Sequence, residues 1–253
     1  MSTRFRALVL CYHAISDSWL HSLAVGPIML ARQVNWLLRR GYRPATGTDV
    51  LSGKSRLLHV TFDDAYRSVA TAIPVLERLG VYSTVFACPA YADEGRPLDV
   101  AELAAEAAAH PDELATMDWG ELRRLAERGV EIGSHTLLHA HLTRLSDYEL
   151  NRELRESRAR VEAELGKPCR FLAYPYGEED ARVRAAARKA GYDAAFALRA
   201  PRAPADHFAV PRIGVYRRDA RFRFAAKSSD GVRRFALPLI EFTRARRRLS
   251  RRE

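Results

Sequence analysis

The stretch Leu57-Leu58-His59-Val60-Thr61-Phe62-Asp63-Asp64 runs a strand-forming segment straight into two adjacent carboxylates. Like charges side by side where a strand leaves the core repel each other, so the pair needs a reason to exist, and a cation is the simplest one. Asp-Asp after a strand is also a common turn or helix N-cap, and alone the pair does not decide between these readings. Downstream, Gly133-Ser134-His135-Thr136-Leu137-Leu138-His139 sets two histidines four residues apart. On one helical turn that spacing points both imidazoles the same way, although it also suits a partly buried helix face. One aspartate with the two histidines leaves a coordination position for water, the arrangement of a catalytic rather than a structural metal. A third segment, Ala173-Tyr174-Pro175-Tyr176-Gly177, likewise follows a predicted strand, and the weight lies in the conjunction of all three.

The rest of the chain alternates strands with helices. Strands are predicted over 7–12, 42–45, 57–62, 84–87, 130–134, 170–174, 194–198 and 209–216, and helices over 29–40, 66–79, 100–109, 119–128, 146–165 and 178–190. Pro74 predicts a break inside 66–79, and Ser146 with Glu149 has the spacing of a capping box. Regular alternation makes the fold α/β with a parallel sheet. Because the candidate residues all lie at the C-terminal ends of strands, a barrel fits better than an open sheet. The stretch 91–117 is read either as an insertion walling one side of a substrate groove or as a surface helix with no part in the chemistry.

Val60-Thr61-Phe62-Asp63-Asp64, Glu131-Ile132-Gly133-Ser134-His135-Thr136 with His139, and Tyr174-Pro175-Tyr176-Gly177, in that order, resemble the polysaccharide deacetylase family with its NodB-type domain. The opening Leu10-Cys11-Tyr12-His13-Ala14-Ile15 resembles the subgroup that includes poly-N-acetylglucosamine deacetylases. The resemblance covers roughly residues 7–216. It implies an irregular, often seven-stranded (β/α) barrel, with Asp64, His135 and His139 holding the metal, Asp63 as general base, and the Tyr176 backbone N–H as oxyanion donor. Neutral imidazoles and one carboxylate suit Zn2+, with Co2+, Ni2+ or Mn2+ also accommodated. Tyr-Pro-Tyr-Gly by itself is a tight turn with aromatic packing. Trp119, at the start of the helix that leads into the histidine strand, reads as core rather than as a sugar platform.

Two departures stand out. The arginine that often precedes the Pro-Tyr pair by two positions is Ala173 here, so a guanidinium orienting Asp63 is expected to be missing. There is also no Leu-x-His near the C-terminus for a general acid, and Ala205-Asp206-His207-Phe208 does not match one. His13, at the end of the first strand, is the candidate acid; the competing reading is a histidine that only orders its loop.

At 253 residues, with 47% hydrophobic content and a mean hydropathy of -0.27, the chain fits one large α/β domain. The expected division is a barrel over 1–225 and a basic, partly apolar extension over 226–253. Cys11, Cys88 and Cys169, odd in number and widely spaced, read as reduced, packed thiols. The N-terminal residues lack the pattern of a secretory signal, which gives an expected location in the cytoplasm, or peripherally at the cytoplasmic membrane face. The net charge of +10 raises nucleic acid or anionic membrane as partners. Nucleic acid is disfavoured for want of a binding motif, and arginine-rich genomic composition competes with both. Val232 to Leu249 mixes Phe235, Leu237, Leu239, Ile240 and Phe242 with arginines, which suits either an interfacial helix on anionic lipid or a packed segment with a solvated tail.

The leading expectation is a metal-dependent N-deacetylase acting on an N-acetylated glycan or on a lipid- or nucleotide-linked glycan precursor. Hydrolysis of another C–N bond, such as a formamide or cyclic amide, and a catalytically weak glycan-binding protein are the alternatives.

Overall fold

The structure, a computed structural model, describes residues 6–198 and 206–229. The chain divides into two compact units, Met1–Arg217 and Arg218–Glu253. In the first unit the strands are β1 (Leu8–Tyr12), β2 (Arg43–Pro44), β3 (Leu57–Phe62), β4 (Ser83–Ala87), β5 (Glu131–Ser134), β6 (Phe171–Ala173), β7 (Ala194–Ala197), β8 (Val210–Pro211) and β9 (Ile213–Gly214). Their hydrogen-bonded order is β8-β7-β6-β5-β4-β3-β1-β9, with β2 joining β3 off this path. Every named pair is parallel.

The path closes almost into a barrel because β8 and β9 are consecutive pieces of one segment. Arg212, between them, donates its amide to Ala197 O of β7, and three residues later Val215 donates to Cys11 O of β1, both at 2.8 Å. Counted as one stave, the interrupted segment gives the expected seven; counted separately, eight strands lie on the path.

Around the barrel stand α1 (Pro27–Arg39), α2 (Ile73–Arg78), α3 (Pro89–Ala92), α4 (Ala104–Ala109), α5 (Pro111–Leu114), α6 (Trp119–Glu127), α7 (Asp147–Leu165) and α8 (Ala181–Lys189). The helical stretch expected over 66–79 is broken, as Pro74 predicts, into a 3-10 turn, Arg67–Thr71, followed by α2. Pro74 sits in the first turn of α2, where its missing N–H costs nothing; inside a longer helix its ring would clash with the preceding turn. The capping box of α7 is present, with Ser146 accepting from the Glu149 amide and Glu149 from the Ser146 amide. Trp119 is buried and donates Nε1 to Asp93.

Period-two alternation decides what lines the barrel. Along β1, Val9 joins the axial core, while Tyr12 turns outward and donates its hydroxyl to Gln33 of α1. The pairing of Val9 with His59 and Cys11 with Thr61 puts Leu57, His59, Thr61 and then Asp63 on the inner face of β3. Phe86, Phe171 and Phe196 fill the axis against Ala173 and Ala194. Removing one such ring costs about 3–5 kcal/mol. Gly133 of β5 has no room for a side chain, since a Cβ there would lie 2.6 Å from the Phe86 ring and 2.8 Å from Phe171 O.

In the second unit the described residues form α9 (Arg221–Ser228). Lys227 and Ser228 lie in its last turn, where Lys227 pairs with Asp219. The apolar and arginine-rich stretch expected over 232–249 lies outside the described residues. Among the described residues no helix is long and apolar enough to cross a membrane.

Candidate metal and catalytic site

Asp63 directly follows β3 and continues its ladder, donating its amide to Tyr12 O at 2.9 Å. The backbone then turns sharply: Asp64 and Ala65 have φ of 67° and 48°. Two successive left-handed residues that are not glycine cost roughly 1–2 kcal/mol each. That strain separates the two carboxylates, turning Asp63 towards the barrel axis and Asp64 towards the histidines.

The histidine motif is not helical. Thr136 and His139 have φ of 68° and 59°, and the segment is a loop leaving β5. A buried helix carboxylate holds it, as Glu153 of α7 accepts the Leu137 and Leu138 amides at 2.9 and 3.0 Å. The loop still brings both rings together, with centroids 4.9 Å apart. His135 Nδ1 lies 2.8 Å from Ala173 O. A carbonyl can only accept, so Nδ1 carries the proton and Nε2 presents its lone pair. Burial lowers the His135 pKa to about 4, so the ring is a neutral, ligand-competent imidazole.

Asp64 Oδ1 lies 3.2 Å from His139 Nε2 and 3.5 Å from His135 Nε2. It is buried and accepts no hydrogen bond. One donor atom from each of the three residues falls within 4.8 Å of the others. Ligands held tetrahedrally at zinc distances lie ~3.4 Å apart, so the donor set and its spacing fit a divalent cation. Thr136 is the β-branched residue in this strained loop, and its buried hydroxyl has no partner. Thr136→Gly is therefore expected to stabilise the fold by about 1 kcal/mol in urea titration while weakening metal retention, because relief of strain also frees His135 and His139.

The expected absence of a guanidinium beside Asp63 is corrected by the structure. Arg212, arriving from the opposite end of the sequence at the β8/β9 join, clamps Asp63 with Nη1 on Oδ1 at 2.6 Å and Nη2 on Oδ2 at 2.9 Å. Nη1 also reaches Thr61 Oγ1 at 3.1 Å, and the side chain is fully buried. Cys11 adds a third donor, its thiol 3.2 Å from Asp63 Oδ2. Burial alone would raise the Asp63 carboxyl, but the Arg212 charge outweighs it and holds the group well below the usual carboxylate range. The signal was a lone arginine inside the apolar run Val210-Pro211-Arg212-Ile213-Gly214, where a buried cation requires a buried anion. All three cysteines are free and buried.

His13 stands on the other side of Asp63, with donor atoms of His13, Cys11 and Asp63 within 4.8 Å of one another. Its Nδ1 is buried without a hydrogen-bond partner, and its ring stacks on Tyr216 at 6.3 Å. Tyr176 sits in a left-handed turn, φ 59°, with its ring edge-on to His139 at 4.7 Å. The next two amides, of Gly177 and Glu178, are used by Tyr174 O and Pro175 O at 3.0 and 3.1 Å. His141 stacks on Tyr176 with ring centroids 3.8 Å apart.

Comparison with known proteins follows the same lines. A family model described as polysaccharide deacetylase matches residues 52–195, more than half of the chain. YxkH of Bacillus subtilis (strain 168), assigned provisionally to the polysaccharide deacetylases, is 24% identical over 192 residues, 73% of this chain. The chain spans 61% of the length of that relative. Among solved structures, the Streptococcus pyogenes deacetylase PplD in complex with acetate superposes with a TM-score of 0.73 at 18% identity, over 88% of this chain and 98% of that one. IcaB from Ammonifex degensii gives 0.72 at 24% identity, over 89% and 98%. The structural likenesses establish a shared fold, and the family model spans both the Asp63-Asp64 and the His135-to-His139 motifs; the chain belongs to the polysaccharide deacetylase family.

Proposed function

We propose that the chain is a metal-dependent hydrolase that removes an N-acetyl group from an N-acetylated glycan or glycan precursor. The observation that carries this reading is the convergence of Asp64, His135 and His139 donor atoms within 4.8 Å, beside a carboxylate clamped by a buried arginine. A divalent ion bound there, Zn2+ by its donor set, supplies an acidified water and Lewis-acid polarisation of the acyl oxygen. Asp63, ionised and oriented by Arg212, accepts the proton of the attacking water. The Tyr176 N–H, the amide of its turn not used by Tyr174 O or Pro175 O, donates to the oxygen that gains charge. His13 protonates the departing amine, which would otherwise leave as an unstable anion. The binding-protein alternative drew on the missing guanidinium, the missing acid and the positive charge, and Arg212 removes the first of these supports.

The test is metal analysis of the purified protein with acetate release from N-acetylglucosamine oligomers, before and after chelation. Expected are near one metal per chain, lost in His135→Ala, and chelator-sensitive acetate release. His13→Ala is expected to keep the metal and lose turnover by about 10²-fold or more. On a panel that adds N-formyl substrates, formate release without acetate release from the oligomers would favour the other C–N hydrolase, and a protein that takes up no metal would overturn the mechanism.

A further inference from the structure

Within the stretch 91–117, read from sequence as either groove wall or surface helix, the segment 97–115 is a strap with a fixed stem and a tip at the site. Its ends pair through the Pro97–Ala115 bridge, and Leu98 donates to Leu114 O at 2.9 Å. The stem is hydrogen-bonded next to the aspartates: Met117 donates to Ala65 O at 2.9 Å and Arg67 to Ala115 O at 2.8 Å. Its outer side is tied to the loop after β1, where Trp19 Nε1 donates to Glu106 at 3.0 Å and Ser16 and Ser18 donate to Glu113 at 3.0 and 2.5 Å. Leu98 and Leu114 are fully buried, so the strap folds on its own anchors.

At the tip, Glu102 reaches the far rim. Its Oε2 accepts the Tyr176 hydroxyl at 3.0 Å, and its Oε1 lies 3.0 Å from His141 Nε2. The other His141 nitrogen lies 3.0 Å from Glu178 Oε2, which also accepts from Thr143 Oγ1 at 3.5 Å. The Tyr176 ring is thus gripped on three sides, by the parallel His141 ring at 3.8 Å, the edge of His139 at 4.7 Å, and Glu102 at its hydroxyl. The Glu102 side chain is 49% exposed, so its pairing with His141 contributes little to global stability. What the pairing does is geometric. The backbone of Tyr176 is left-handed, a conformation that a tyrosine holds only when its surroundings enforce it.

We propose that Glu102 is a positioning residue that latches the strap to Tyr176 and thereby fixes the turn whose N–H meets the reacting acyl oxygen. The consequence for turnover rests on the deacetylase reading; the latch itself does not. In the zinc-loaded full chain, Glu102→Ala is expected to speed hydrogen exchange of the 174–178 amides by about 10-fold. It is also expected to lower kcat by about 10-fold with KM nearly unchanged. Glu102→Gln keeps an acceptor for the Tyr176 hydroxyl and should restore most of both. Tyr176→Phe should match Glu102→Ala, and the double variant should fall no further. Unchanged exchange in 174–178, or a KM increase from Glu102→Ala that persists in the Tyr176→Phe background, would overturn the proposal. Faster exchange in a protein that releases no acetate even as wild type would uphold the latch and defeat the deacetylase reading instead.

Discussion

Asp63→Asn is expected to lower acetate release by about 10²–10⁴-fold while leaving bound metal near the wild-type amount. The two carboxylates separate at the left-handed Asp64, so the amide at 63 leaves the Asp64, His135 and His139 donors in place. It removes the carboxylate that Arg212 holds ionised beside those donors. A second effect accompanies the first. Asparagine cannot balance the guanidinium, and a buried charge stripped of its partner costs about 3–5 kcal/mol, so the variant should also unfold at lower urea. Metal content with turnover separates the roles: retained metal with lost rate identifies the base, whereas loss of both would make Asp63 a ligand.

Arg212→Met is expected to destabilise the fold by about 3–5 kcal/mol, as much as Asp63→Asn. Methionine fills similar space, but among the described residues Asp63 is left as a buried carboxylate beside Asp64 with the Cys11 thiol as its hydrogen-bond donor. The same argument gives the sign of the double variant. Asp63→Asn with Arg212→Met removes both charges, and it should be more stable than either single variant. Chemical denaturation of the four proteins measures this coupling. Equal, additive losses would show that the bidentate clamp seen between Nη1, Nη2 and the carboxylate contributes no pairing energy in solution.

Legibility from sequence followed the distance over which each feature is determined. β3 begins and ends where its apolar pattern does, and the α7 capping box is set by residues three apart, so both were readable locally. The split at Pro74 was flagged because proline acts on its own turn. The histidine loop was misjudged as a helical turn because four-residue spacing is also satisfied by a loop, and what holds this loop, Glu153, lies on the following helix. Arg212 was missed for a stronger reason. The arginine was sought two residues before Pro175, yet the requirement is a guanidinium at a point in space, and 149 residues separate Arg212 from Asp63. Glu102 was illegible for the same cause, since only barrel closure brings the strap tip against Tyr176.

The interrupted last stave has a bearing on when the protein becomes competent. Asp63, Asp64, His135, His139 and Tyr176 all leave the ribosome before Arg212, yet the carboxylate at 63 receives its clamp only when 210–215 has bridged β7 and β1. The final seam of the barrel and the orientation of the base are one event. A chain ending before that seam would carry Asp64, His135 and His139 but lack the guanidinium that holds the Asp63 carboxylate, so in the proposed hydrolase the steering of the base depends on the last stretch of barrel to be made.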